Sequence, residues 1–292
     1  MRLTHGRAVW VMVGVTLLWG TDGVVTRQLE HAHSFEVTFW RSAFTALALL
    51  VILPAWQGRE VFAIIRRGGR ALWISGLCWS VMFTAFMVAL TLTSTADVLV
   101  TLAIGPLFTA LAARLFIGHR LPPRTWGAIA VAGLGIGWMY GTQLGNGQWV
   151  GTLVALCVPV AAAANWTVVQ HANEQGQRID LVPAVLIGAA LSALMTLPLA
   201  WPFGATTRDL LLLAYLGVFQ LAIPCVGSVL CARVLSAPEV SLLALLEVIF
   251  GIALAWGGAA EVPAASVLIG GALVVGALVF NELLGVRERQ AG

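Results

Sequence analysis

The chain has 292 residues, 60% of them hydrophobic and only 10% charged, with a formal net charge of +3. A soluble domain carries about 25% charged residues, and mean hydropathy here is +0.93, so the composition excludes an ordinary water-soluble fold and fits lipid as the solvent. All 16 basic residues are arginine and they gather into no compact patch, which argues against a nucleic-acid partner.

A helix that crosses a bilayer needs about 20 mostly apolar residues. Ten such stretches follow one another: 8–27, 35–53, 71–91, 95–117, 123–141, 149–170, 181–201, 209–231, 239–258 and 264–283. The longest breaks, 57–70 and 170–180, read as polar linkers. The expectation is an all-α integral membrane protein of ten transmembrane helices with no soluble domain.

The first span follows MRLTHGR and imitates a secretory signal. Its spanning length, with no convincing small-x-small cleavage site after it, favours a retained helix. Thr16, Trp19, Asp22 and Thr26 recur there at three- and four-residue spacing and share one face. An acid near the centre of a span costs about 3 kcal/mol. Asp22 therefore binds a substrate ammonium or a proton, or else is a structural acid bonded to a neighbouring helix.

Arg41 lies six residues inside the second span and never loses its charge. It snorkels or pairs with an acid such as Asp22 or Glu36, or its fork takes a substrate carboxylate bidentately. Trp79 in span 3, like Trp19 and Trp166, lies deep enough to stack on an apolar or aromatic substrate or simply to pack. Trp10, Trp56, Trp73, Trp126, Trp149 and Trp201 sit near span ends and read as an interfacial belt.

Pro106, Pro159 and Pro224 interrupt spans 4, 6 and 8. Each removes a backbone donor and frees the carbonyl four residues earlier, at Leu102, Ala155 and Gln220. They read as kinks or hinges, with freed carbonyls as the alternative reading for a cation. Gly133, Gly137 and Gly141 give span 5 two overlapping GxxxG patterns, and Gly270, Gly271 and Gly276 stud span 10. Packing of these two spans on each other is expected before a homodimer interface. Asn165, Trp166 and Gln170 fall on one broad face of span 6, and Gln220 adds a neutral polar group in span 8. Glu247 lies eight residues into span 9 beside the small Ala244 and Gly251, where it marks a translocation region or pairs structurally.

Cys78, Cys157, Cys225 and Cys231 stand at no metal-ligand spacing and read as small hydrophobes. P-loop, HExxH and GxSxG patterns are missing, so no catalytic residue, cofactor or metal is expected, and transport rather than catalysis is the reading.

Arginine placement sets the orientation. With the N-terminus in the cytoplasm, thirteen arginines fall on the cytoplasmic side, only Arg27 and Arg208 fall opposite, and Arg41 lies within a span. Both termini are then cytoplasmic. STADVLVTLAIGPLFTALAARLFIGHRL (94–121) resembles SAPEVSLLALLEVIFGIALAWGGAAEVP (236–263), 142 residues on. Two halves follow, 1–143 and 144–292, each with five spans. Five is odd, so the second half lies upside down relative to the first, an arrangement typical of transporters with a midplane site.

LLWGT (17–21), the Arg in FWRSAF (39–44), GPLFTALAARLFIGHRL (105–121) and LLEVIFGIALAW (245–256) together resemble the drug/metabolite transporter superfamily, specifically its ten-helix EamA-type exporters. The resemblance covers nearly the whole chain; within the group the amino-acid exporters, including the YddG-like aromatic amino-acid exporters, are closest in size and layout. Members often carry Glu-Pro where Glu247-Val248 stands, Gly-Glu where Gly118-His119 stands, and a small polar residue in place of Asp22. The role of Asp22 is therefore read from this chain alone. The resemblance implies export of small metabolites across the inner membrane by alternating access.

The expected substrate is an amino acid or similar zwitterion. It would sit in a cavity lined from spans 1, 3, 4, 6, 8 and 9, among Trp19, Asp22, Arg41, Trp79, Asn165, Trp166, Gln220 and Glu247. The alternative is a proton-coupled multidrug exporter, with an acid holding a lipophilic cation.

Overall fold

The computed structural model describes residues 4–58, 60–112, 114–115, 123–143, 149–174, 182–231, 234, 243–244, 246–260 and 262–291. Helix is the regular structure throughout them. In chain order the elements are α1 (His5–Trp19), α2 (Thr21–Thr26), α3 (Ser34–Gln57), α4 (Glu60–Arg67), α5 (Arg70–Leu92), α6 (Thr95–Ala103) and α7 (Gly105–Ala112). They continue as α8 (Pro123–Gln143), α9 (Trp149–Glu174), α10 (Val182–Ala200), α11 (Thr207–Tyr215), a π-helical segment (Leu216–Ala222), α12 (Ile223–Cys231), α13 (Leu246–Ala259) and α14 (Ala265–Ala291).

Among the described residues, six helices are long and apolar enough to cross a membrane: His5–Thr26, Ser34–Gln57, Arg70–Leu92, Pro183–Ala200, Thr207–Ser228 and Ala265–Gly285. Three further apolar helices, Thr95–Thr109, Trp149–Asn165 and Leu246–Ala259, are shorter. The chain is a multi-pass membrane protein. Large apolar side chains such as Trp10, Leu134 and Leu199 stay exposed on the outside of the bundle, where lipid is their natural neighbour.

Three of the apolar stretches are broken. Span 1 divides at Gly20, whose N–H turns back to the Thr16 carbonyl at 3.0 Å. A Cβ at Gly20 would lie 2.9 Å from the Gly251 backbone nitrogen, so only glycine lets α13 approach the break this closely. Span 4 divides at Ile104 because Pro106 has no N–H to continue α6 and fits instead into the first turn of α7. In span 8 Pro224 offers no N–H to an α-turn, and the wider π turn just before it absorbs the mismatch. Pro159, by contrast, lies inside the continuous helix α9.

Residues 57–70, expected to be a polar linker, instead contain helix α4. Val61 and Ile65, four residues apart, turn inward: Val61 is fully buried, and Ile65 packs beside it. Arg66 and Arg67 occupy the last turn, where cations suit the helix dipole. Of the second expected linker, 170–180, helix α9 takes in the part up to Glu174, and the rest lies outside the described residues.

α5 packs on α9 and α10, α3 on α10, α8 on α14, α6 on α13, and α13 also on α2. The α8–α14 contact runs through Gly135, where a Cβ would stand 2.8 Å from the Gly270 carbonyl oxygen. A Cβ at Gly133 or Gly137 would meet nothing within 4 Å, so these two GxxxG residues point away from this contact.

Candidate functional site

Arg41 projects from the second turn of α3 and is 2% exposed. Its Nη2 donates to Gln220 Oε1 at 2.8 Å, and its guanidinium carbon lies 5.5 Å from the centroid of the Phe86 ring. Gln220 belongs to the π segment and is also 2% exposed. Its Nε2 donates to the carbonyl of Trp19, the last residue of α1, at 3.2 Å. The break at Gly20 matters here, because carbonyls at a helix end have no partner within the helix.

Asp22 sits in the single turn after that break and is fully buried. Its Oδ1 accepts the Gly23 N–H at 2.6 Å, while Oδ2 has no hydrogen-bond partner. Glu247 stands in the first turn of α13, one helical turn before Gly251, the residue packed against Gly20. The charges of Asp22, Arg41 and Glu247 act on one another, so the three form one electrostatic group. Arg41 Nε and Nη1 are buried without a partner. A buried guanidinium with open donors beside a carboxylate with an open acceptor is unusual, since buried polar groups are nearly always satisfied. This arrangement can receive a ligand that carries both an anionic and a cationic group.

The break in span 1 and the π segment thus bring Trp19, Asp22, Arg41, Gln220 and Glu247 together. Trp79 and Asn165 have other neighbours. Asn165 Oδ1 accepts the Ser75 hydroxyl at 2.6 Å between α9 and α5, and its Nδ2 is buried without a partner. Trp79 lies against Gly188 of α10 and beside Phe83. The Trp166 side chain lies outside the described residues. Pro159 and Pro224 are buried, and Pro106 stands in the first turn of α7.

Phe86, Thr45 and Gly217 also adjoin Arg41 but carry no sequence signal of their own. The Thr45 hydroxyl donates to the carbonyls of Arg41 and Gly217 at 2.8 and 3.1 Å, fastening the π segment to the turn that carries Arg41. Tyr215 adds a hydroxyl contact to Thr21 at 3.3 Å. Among the described residues no three His, Cys, Asp or Glu gather where a metal ion could be held.

Residues 6–141 match the EamA-like transporter family. The chain is also similar to the Pseudopaline exporter CntI of Pseudomonas aeruginosa, in strains UCBPP-PA14 and PAO1. Identity to each is 26% over 250 residues, covering 84% of this chain and 84% of the relative. A solved crystal structure shares the fold with a TM-score of 0.65 at 20% identity, over 97% of this chain and 98% of the other. Family model and relatives alike describe transporters rather than enzymes.

Proposed function

We propose that the chain is an EamA-type exporter in the inner membrane that carries small zwitterionic metabolites, amino acids first, by alternating access. The observation that carries this reading is the unsatisfied pair at the centre of the bundle. Arg41 keeps free donors for a carboxylate, and Asp22 Oδ2 keeps a free acceptor for an ammonium. The exporter relatives support the direction of transport, and the missing nucleotide-binding and catalytic patterns leave gradients as the driving force.

Ten spans in two inverted halves are part of the same proposal. A pseudo-two-fold axis in the membrane plane would bring spans near that axis against their own counterparts five spans later. The packing supports this: α3 meets α10, α6 meets α13, and α8 meets α14, which are spans 2 and 7, 4 and 9, and 5 and 10. The site then lies at the seam between the halves, contributed by spans 1, 2, 8 and 9.

Two carboxylates against one guanidinium favour one competing reading, a proton-coupled exporter of lipophilic cations. Uptake into liposomes separates the two. Purified protein is tested with a labelled amino-acid panel, aromatic members included, first without an imposed ion gradient and then with a proton gradient. Uptake above empty liposomes, competed by unlabelled amino acids, is the expected result. No amino-acid uptake in either condition, together with proton-driven uptake of a lipophilic cation, would overturn the proposal.

A further inference from the structure

Arg41 is the only guanidinium among these buried groups, and its usefulness to a carboxylate depends on which of its hydrogens remain open. Nε carries one hydrogen, and Nη1 and Nη2 carry two each. Gln220 takes one hydrogen of Nη2 at 2.8 Å. The other Nη2 hydrogen runs parallel either to that of Nε or to one of Nη1, and neither of those nitrogens has a partner. In both cases one complete two-pronged edge survives. An unanchored guanidinium at the end of a long side chain would spread over many orientations and lose rotamer entropy on binding.

The partners of Gln220 fix its amide. Arginine only donates and a backbone carbonyl only accepts, so the amide oxygen faces Arg41 and the nitrogen faces the Trp19 carbonyl, 3.2 Å away. The backbone beneath is fixed too. Gly217 presses on α3 so closely that a Cβ would stand 2.7 Å from the Arg41 carbonyl oxygen, and Thr45 ties the same two carbonyls together. One neutral side chain thus joins α1, α3 and the π segment at the seam.

We infer that Gln220 is a positioning residue: it holds the Arg41 guanidinium so that one intact edge faces the substrate carboxylate, and makes no substrate contact itself. The inference rests on the zwitterion reading above. It explains why the residue is neutral, because a carboxylate at this position would pair with Arg41 and compete with the substrate. It also ties Arg41 to the break in span 1, so movement of α1 against the π segment changes how the edge is presented.

The test compares amino acids with their decarboxylated amines, phenylalanine with 2-phenylethylamine and leucine with 3-methylbutylamine, in liposomes bearing wild type, Gln220→Leu or Gln220→Glu. Wild type is expected to prefer the amino acids. In Gln220→Leu, KM for the amino acid should rise about tenfold with Vmax nearly unchanged, and the preference over the amine should fall by a similar factor, since one charge-assisted hydrogen bond orients the fork. Gln220→Glu should invert the preference. A folded Gln220→Leu protein with the wild-type ratio overturns the assignment. If that variant does not fold, an unchanged ratio in Gln220→Glu overturns it equally. Wild type that carries none of the amino acids removes the zwitterion reading and this assignment with it.

Discussion

The Glu36 carboxylate accepts the Ala205 backbone N–H at 2.8 Å, and its two oxygens take the Gly204 N–H at 3.1 and 3.0 Å. Asp209 returns the arrangement, accepting the N–H groups of Glu30 and His31 at 3.0 and 3.3 Å. Each acid lies in the first turn of its helix, where negative charge suits the dipole, and each grips the loop that leads to the other helix. Phe203 packs its ring against Phe39 and Trp40 in the same place, and Arg208 pairs with Glu30 at the surface. The 27–33 and 201–206 segments are thereby closed on each other.

Glu36→Ala should therefore cost folding stability, because it strands backbone donors as well as losing charge-assisted bonds. The expected loss is about 2–3 kcal/mol. Asp209→Ala should cost a similar amount, and the double variant less than the sum, since both acids hold one interface. Thermal melting in detergent reads all three. Unchanged melting of Glu36→Ala would mean that water replaces the carboxylate and that the closure contributes nothing.

Gly20→Ala and Gly14→Ala form an internal control within α1 and its break. A Cβ at Gly20 meets the α13 backbone, which cannot move aside as a flexible side chain could, whereas a Cβ at Gly14 meets nothing within 4 Å. Gly20→Ala should lower folded yield sharply, with a cost of about 1–3 kcal/mol from overpacking. Gly14→Ala should be neutral or slightly stabilising, since alanine is the better helix former. Size-exclusion profiles of the two variants decide the matter; equal profiles would mean that α13 does not press on the break.

Ser192 receives or gives hydroxyl contacts at 2.9 Å to both Ser42 and Thr84, linking α10 to α3 and α5. Such bonds between membrane helices average about 0.6 kcal/mol and reach about 1.7. Ser192→Ala should accordingly lower the melting temperature only slightly and leave transport in place. A large loss of folded protein would show that this hydroxyl chain, rather than apolar packing, joins the three helices.

The charged members of the candidate site were legible because an ion in an apolar run stands out: Asp22, Arg41 and Glu247 need no partner to be noticed. Their partners were not legible. Gln220 lies 179 residues from Arg41, and no local pattern encodes that pairing. The proline at 224 announced a disturbed helix, but the π turn depends on how closely Gly217 docks on α3, which is a tertiary fact. Glycine spacing in span 5 indicated where helices can approach without saying on which side, and Gly135, not Gly133 or Gly137, makes the approach. Helix α4 was missed because its short sequence, EVFAIIRR, is polar on average, although Val61 and Ile65 share its inner face. The expectation of one broad face of span 6 for Asn165, Trp166 and Gln170 likewise could not anticipate that Ser75 occupies the Asn165 amide oxygen.

Asp22→Asn and Arg41→Lys test the centre of the site from opposite sides. Asparagine keeps an oxygen for the Gly23 N–H, the bond that Asp22 Oδ1 now makes at 2.6 Å, so the turn after the break should survive. What it loses is the charge and the free acceptor at Oδ2. Folded yield should stay near wild type while amino-acid uptake falls about 10- to 100-fold, the worth of one hydrogen bond to a charged group. Lysine at position 41 keeps the charge but offers a point donor in place of a planar edge and cannot make the same bond to Gln220. Arg41→Lys should then raise KM for amino acids about as much as Asp22→Asn lowers uptake, and leave their decarboxylated amines less affected. Wild-type KM in Arg41→Lys would show that charge alone serves the substrate, and the two-pronged edge would lose its role.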